Sequence, residues 1–129
     1  MTIDAKTVRP GEYPLEITVR TQTFAADASV STGGQDTAPG PHDYFDAALA
    51  TCKAMTAMWY AKRHGIPLER VESHVETDNS QERTGIYKLR VRVELFGPLT
   101  DEQRSQVQRA IAGCPIHKLM TTSDVQIET

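Results

Sequence analysis

Residues 40–65 read GPHDYFDAALATCKAMTAMWYAKRHG, and their spacing predicts one long α-helix. Phe45, Ala48, Leu49, Cys52, Met55, Thr56 and Trp59 recur at steps of three and four, which sets them along one stripe. Pro41 suits an opening turn, where its missing N–H has no intrahelical partner to lose. Lys62, Arg63 and His64 favour the negative end of the helix dipole, and Gly65 can take the left-handed closing conformation. Alanines on both sides allow another helix to approach closely. The helix is apolar or small on more than one side, more than a thin domain of this size buries by itself, and burial against a second copy would resolve the excess. In the middle of the stripe sits Cys52, one of only two cysteines.

On the N-terminal side, residues 31–41 (STGGQDTAPGP) form the clearest loop of the chain. Leu15, Ile17 and Val19 alternate with Glu16, Thr18 and Arg20, which predicts a strand buried on one face. A second short strand is expected over residues 23–28, with no marked turn between the two. Residues 1–13 are polar, carry Pro10 and Gly11, and read as an arm. On the C-terminal side, Val71, Ser73 and Val75 alternate with charged neighbours, and so do Tyr87, Leu89, Val91, Val93 and Leu95. With the polar connection 78–85 between them, these runs predict an antiparallel hairpin of firm register. Thr100 and Gln103 form a reciprocal capping pair opening a second helix, which Gly113 ends. CPIHKLM then starts a short third helix, and Val125 and Ile127 suggest a last strand. The fold class is α+β with a mostly antiparallel sheet, in a single domain over 1–129.

Bulk properties narrow the function. Across 129 residues, 39% are apolar and 24% charged, with a net charge of −3 and scattered Lys and Arg. That is the composition of a globular protein without an electrostatic footprint for nucleic acid. No apolar run approaches the ~20 residues of a membrane-spanning helix. The first residues lack the apolar core of a signal peptide, so a cytoplasmic location without membrane attachment is expected. In a reducing compartment two cysteines point to chemistry, metal or packing rather than a static disulfide.

Cys114 precedes Pro115 and so occupies the cap of the third helix. Unpaired N–H groups and the dipole there favour a thiolate and predict a lowered pKa. A small capping residue is the plainer reading of the same cysteine. Cys52, on an apolar stripe, equally serves as a buried hydrophobe unless a cation lies close. Arg20 is one candidate cation; His42 is another, although ten residues of helix place it roughly 15 Å away along the axis. A peroxidatic and resolving pair fits two such cysteines: one thiolate attacks a peroxide O–O bond, and the other condenses with the sulfenic acid. The competing use is a metal site, with Cys114 and His117 in C-x2-H spacing and Cys52 and His42 completing four ligands. Asp43 and Asp46 serve as helix N-terminal acids or as acid–base groups. There is no nucleophile elbow, and neither STGGQ nor APGP has phosphate-loop spacing or its lysine.

The stretch GPHDYFDAALATCKAMTAMWYAKRHGIPLERVESHVE, followed by CPIHKLM, resembles the OsmC/Ohr family, over roughly residues 15–128. The helix motif AAL-x-x-C-x-AMT continuing to YA-x-R/K-x-G-x-PLERVE brings it nearest the OsmC-like branch. The resemblance implies an intertwined homodimer, with sheets of both chains wrapped around two central helices and the active sites at the subunit interface. It implies reduction of organic hydroperoxides with no metal, flavin or other cofactor, an external dithiol restoring the enzyme. Cys52 would be the peroxidatic thiol and Cys114 the resolving one. The family's peroxidases hold the first thiolate with an Arg that an upstream Glu fixes. Here His42 and Asp43 stand at the upstream positions, so Asp43 is the nearest carboxylate and Arg20 the candidate arginine. Lys53, directly after the first cysteine, is a further departure. A non-enzymatic OsmC-like protein binding a small apolar ligand is the alternative.

Overall fold

A helix of 23 residues, α1 (Pro41–Arg63), runs through the middle of the chain, as its spacing predicts. It opens with Pro41, and the Asp43 carboxylate accepts from the Gly40 N–H at 2.8 Å. It closes through Gly65, at φ 63°, with the Ile66 N–H returning to the Ala61 carbonyl at 2.8 Å. That bond satisfies one of the carbonyls a helix end leaves open and turns the chain back onto its own last turn. The computed structural model describes residues 1–129. They form two compact units, Met1–Phe45 and Asp46–Thr129, with α1 beginning in the first and continuing through the second.

In the N-terminal unit, β1 (Ile3–Thr7), β2 (Leu15–Val19) and β3 (Gln22–Ala26) make an antiparallel sheet in the order β1-β2-β3. The expectation of a loose arm over 1–13 is corrected here. Ile3 pairs with Val19 and Thr7 with Leu15, and the strand turns back through residues 8–14. All five β1 residues are exposed, so the backbone ladder holds this strand and no buried face announces it. The unmarked turn between β2 and β3 is Arg20-Thr21, with Arg20 at φ 54° where a hairpin ordinarily uses glycine. Asp27 organises the following loop. Its carboxylate accepts from the N–H groups of Ala28, Gln35 and Thr37 and from the Thr37 hydroxyl, at 2.7 to 3.2 Å.

In the C-terminal unit, β4 (Arg70–Asp78) and β5 (Lys88–Phe96) pair antiparallel along their whole length, Arg70 with Phe96 and Asp78 with Lys88. Gly97 lets the chain leave β5 beside residues 67–69, since a Cβ there would sit 2.4 Å from the Pro67 carbonyl oxygen. Then come α2 (Asp101–Ala112), with both bonds of the Thr100–Gln103 capping box formed, and α3 (Pro115–Thr122), capped by Cys114. Ala57, Ala61, Ile66, Leu68, Leu95, Val107 and Ile111 make the core. Val107 is fully buried, a contribution of about 1.5–3 kcal/mol for a side chain of its kind.

Two sequence expectations are corrected in this unit. The buried residues of α1 are Leu49, Lys53, Ala57 and Ala61, a stripe of step four that shares only Leu49 with the apolar one the sequence presents. Alanines win the contact because their size admits α2 and the 66–68 segment closely, leaving Met55 (67% exposed) and Trp59 (59% exposed) facing outward. Residues 123–129 carry no strand: two apolar residues in a three-residue alternation find no ladder partner in the chain.

Candidate functional site

Both cysteines and their immediate neighbours belong to the C-terminal unit, where α1, the end of α2 and the start of α3 meet. Cys52 is half-buried on α1, with its sulfur 3.9 Å from the Thr56 hydroxyl one turn on. Cys114 is completely buried at the cap of α3, and its sulfur accepts from the His117 N–H at 3.4 Å. The Cys52 thiol lies close enough to the Cys114 thiol to bear on its titration. Two thiols distant in the chain are thus adjacent in the fold, and neither is in a disulfide.

The cap does not lower the Cys114 pKa as expected from sequence. Burial pushes this thiol up from its ordinary value, and the neighbouring Cys52 adds to the rise. The His117 N–H and the positive charge of Lys53 pull the other way without prevailing. Desolvation in a fully enclosed site outweighs one N–H at the end of a short helix.

Lys53 was visible in the sequence only as an oddity beside Cys52. It is 4% exposed, and its ammonium donates to the Ile111 carbonyl at 3.1 Å and to His117 Nδ1 at 2.7 Å. An ammonium has only donors, so Nδ1 is the acceptor and the imidazole proton sits on Nε2. His117 Nδ1 is thereby engaged by Lys53.

Arg20 and Asp43 lie in the N-terminal unit, each with a local partner. The Arg20 guanidinium reaches the Met1 sulfur at 3.4 Å, and Asp43 caps the start of α1. Asp46 is engaged as an acceptor, taking hydrogen bonds from the Tyr87 hydroxyl at 2.8 Å and from Thr77 at 2.6 Å. This carboxylate and, first of all, burial raise the Tyr87 pKa to about 12. A group with metal-ligand geometry that the sequence did not suggest lies on the hairpin: atoms of Glu72, His74 and Glu94 all fall within 4.8 Å of one another. Both glutamates are already bridged by arginines, Glu72 by Arg70 and Glu94 by Arg92.

The long helix beside an antiparallel hairpin is an architecture shared with known proteins. The model of the OsmC-like protein family matches residues 33–129. This chain belongs to the OsmC-like family. No curated protein matches it significantly. Among solved structures, the chain is similar to an OsmC-like protein from Mycoplasma pneumoniae, at TM-score 0.72 and 18% identity, covering 94% of this chain and 86% of that one. An organic hydroperoxide resistance protein OsmC from Legionella pneumophila aligns at TM-score 0.63 and 23% identity, over 94% and 88%. The organic hydroperoxide resistance protein OhrB of Bacillus subtilis aligns at TM-score 0.56 and 23% identity, over 98% and 95%. At these identities the likeness establishes the α+β OsmC architecture. No helix of this OsmC-like chain is long and apolar enough to cross a membrane.

Proposed function

We propose that this protein reduces organic hydroperoxides by a two-cysteine cycle, as a cytoplasmic homodimer, without metal or flavin. The observation that carries the reading is the meeting of α1 and α3 at the two thiols: Lys53, next to Cys52, bonds the His117 ring, and the His117 N–H donates to the Cys114 sulfur. Cys52, the more accessible sulfur, is the peroxidatic group. Its thiolate attacks one peroxide oxygen and the O–O bond breaks; the sulfur becomes a sulfenic acid, and the alkoxide leaves and is protonated to an alcohol. Cys114 then forms the S–S bond as the S–O bond of Cys52 breaks, releasing water. An external dithiol restores both thiols by exchange and is itself oxidised to a disulfide. The hydroperoxide resistance named for the Legionella and Bacillus proteins supports the substrate class. The outward-facing Met55 and Trp59 support a second copy against α1. In this reading Arg20 and Asp43 remain the candidate counterparts of the family's activating arginine and glutamate.

The test is hydroperoxide consumption with several dithiols, alongside thiol counting. A stoichiometric dose of cumene hydroperoxide is expected to consume both thiols in one intramolecular disulfide, and Cys52→Ser to abolish turnover. Unchanged thiol counts would overturn the cycle and favour a non-enzymatic protein that binds a small apolar ligand.

A further inference from the structure

Lys53 is a buried ammonium whose two hydrogen-bond partners are neutral, the Ile111 carbonyl and the His117 imidazole. A charge removed from water is costly unless hydrogen-bonded and offset by an opposite charge nearby. The groups facing Cys114 are Cys52 and Lys53 from α1 and His117 from α3; α2 contributes the Ile111 carbonyl. In this cluster the groups able to become anionic are the two thiols. We propose that Lys53, held in place by His117, supplies the cation that stabilises the Cys114 thiolate, and so sets the rate at which Cys114 resolves the oxidised Cys52.

The geometry connects the parts through one residue. His117 accepts from the Lys53 ammonium with its side chain and donates to the Cys114 sulfur with its backbone N–H, at 2.7 and 3.4 Å. Lys53 and Cys114 are thereby anchored to the same first turn of α3. Burial raises the Cys114 pKa and the Lys53 charge opposes that rise, so removing the charge leaves desolvation less opposed. The inference rests on the two-cysteine reading for its chemical consequence. In the resolving step the Cys114 sulfur bonds to the Cys52 sulfur and hydroxide departs from it. The proton that Cys114 gives up converts that hydroxide to water, and no further oxidant or reductant enters. Lys53 lowers the cost of the first event by stabilising the thiolate. His117 is a positioning residue, acting through Lys53.

Two measurements on the full chain separate this inference from the peroxidase reading. The first uses no peroxide: in the Cys52→Ser background, ultraviolet thiolate absorbance of Cys114 is followed against pH. Lys53→Met is expected to raise the midpoint by about one unit or more, as loss of a close opposite charge does, with Lys53→Arg restoring most of it. His117→Ala is expected to move it in the same direction by less. Lys53→Gln carries the same expectation should the methionine variant not fold. An identical midpoint with and without the Lys53 charge overturns the inference. The second measurement treats the two-cysteine protein with one equivalent of cumene hydroperoxide and traps sulfenic acid with a dimedone probe. Lys53→Met is expected to accumulate several-fold more trapped Cys52 than the unaltered chain, because closure is slowed. Equal trapping with closure at the unaltered rate overturns the kinetic consequence. If the unaltered chain does not react with hydroperoxide, the peroxidase reading fails, while the thiolate midpoints still decide whether Lys53 acts on Cys114.

Discussion

Lys53 and His117 are 64 positions apart in the chain, yet Nζ of one lies 2.7 Å from Nδ1 of the other. This bond ties the middle of α1 to the first turn of α3 and fixes Cys114 beside Cys52. It explains how a lysine comes to sit on the buried stripe of a helix whose other buried members are Leu49, Ala57 and Ala61. The aliphatic stem of a lysine packs as a hydrophobe does, provided its ammonium ends on acceptors.

His117→Ala is expected to destabilise the protein by about 1–3 kcal/mol, because a buried charged donor loses one of its acceptors. Denaturant unfolding would measure it. Combining His117→Ala with Lys53→Met should cost less than the sum of the two single changes, since the second removes the group the first orphaned. Strict additivity would show that the bond contributes nothing of its own.

Thr100→Ala is expected to cost about 0.5–2 kcal/mol, the usual range for a helix cap. The Thr100 hydroxyl accepts from the Gln103 N–H at 3.1 Å, while the Gln103 side chain accepts from the Thr100 N–H at 3.0 Å. Gln103→Ala should cost less, since it leaves the Thr100 hydroxyl on its donor. A Thr100→Ala unfolding midpoint unchanged from that of the parent chain would mean that packing of Val107 and Ile111 alone holds α2.

What the sequence makes legible follows from how local each cause is. The capping box, the Cys114-Pro115 start of α3 and the alternation in β5 are each written within a few residues, and all three are present. The strand β1 is not legible because it buries no face, and the β2–β3 turn is not because Arg20 takes a backbone conformation usually left to glycine. Periodicity locates α1 but not the side its own chain covers: Leu49 of the apolar stripe is buried, while Met55 and Trp59 are exposed. Which side is covered depends on where α2 and α3 arrive, and the small Ala57 and Ala61 permit an approach that Met55 and Trp59 do not. The adjacency of Cys52 and Cys114 is tertiary, and so is the burial of Lys53. Nothing within a few residues of Lys53 distinguishes it from a solvated lysine.

The N-terminal unit carries an acid-sensitive contact. Hydrogen bonds from Thr37, first of all from its hydroxyl, lower the Asp27 pKa from 3.8 to about 2. A carboxyl depressed by folding contributes stability above its unfolded value that is lost as pH falls through the folded one. Melting followed by circular dichroism is therefore expected to show stability falling from about pH 4 toward pH 2, with the loop over residues 27–40 released. Asp27→Asn should be less stable at neutral pH and flatter through that acid window. An Asn variant with the parent's acid slope would assign the slope to other carboxyls.

The exposed side of α1 gives the most direct check on assembly. Met55 and Trp59 are one turn apart, the Arg63 guanidinium lies 5.2 Å from the Trp59 ring centroid, and both side chains are mostly exposed. If a second copy covers this face, Met55→Glu places a carboxylate in a desolvated contact, where an unpaired charge is strongly disfavoured. The variant is expected to sediment as a monomer at concentrations where the parent is a dimer, with helical content retained because residue 55 faces away from the core of its own chain. Leu95→Ala is the control: it removes a buried core side chain, costs about 2–5 kcal/mol, and weakens the fold itself rather than association alone. A Met55→Glu protein that remains a dimer would move the interface off this face of α1 and leave its exposed methionine and tryptophan to be covered by something other than a second copy.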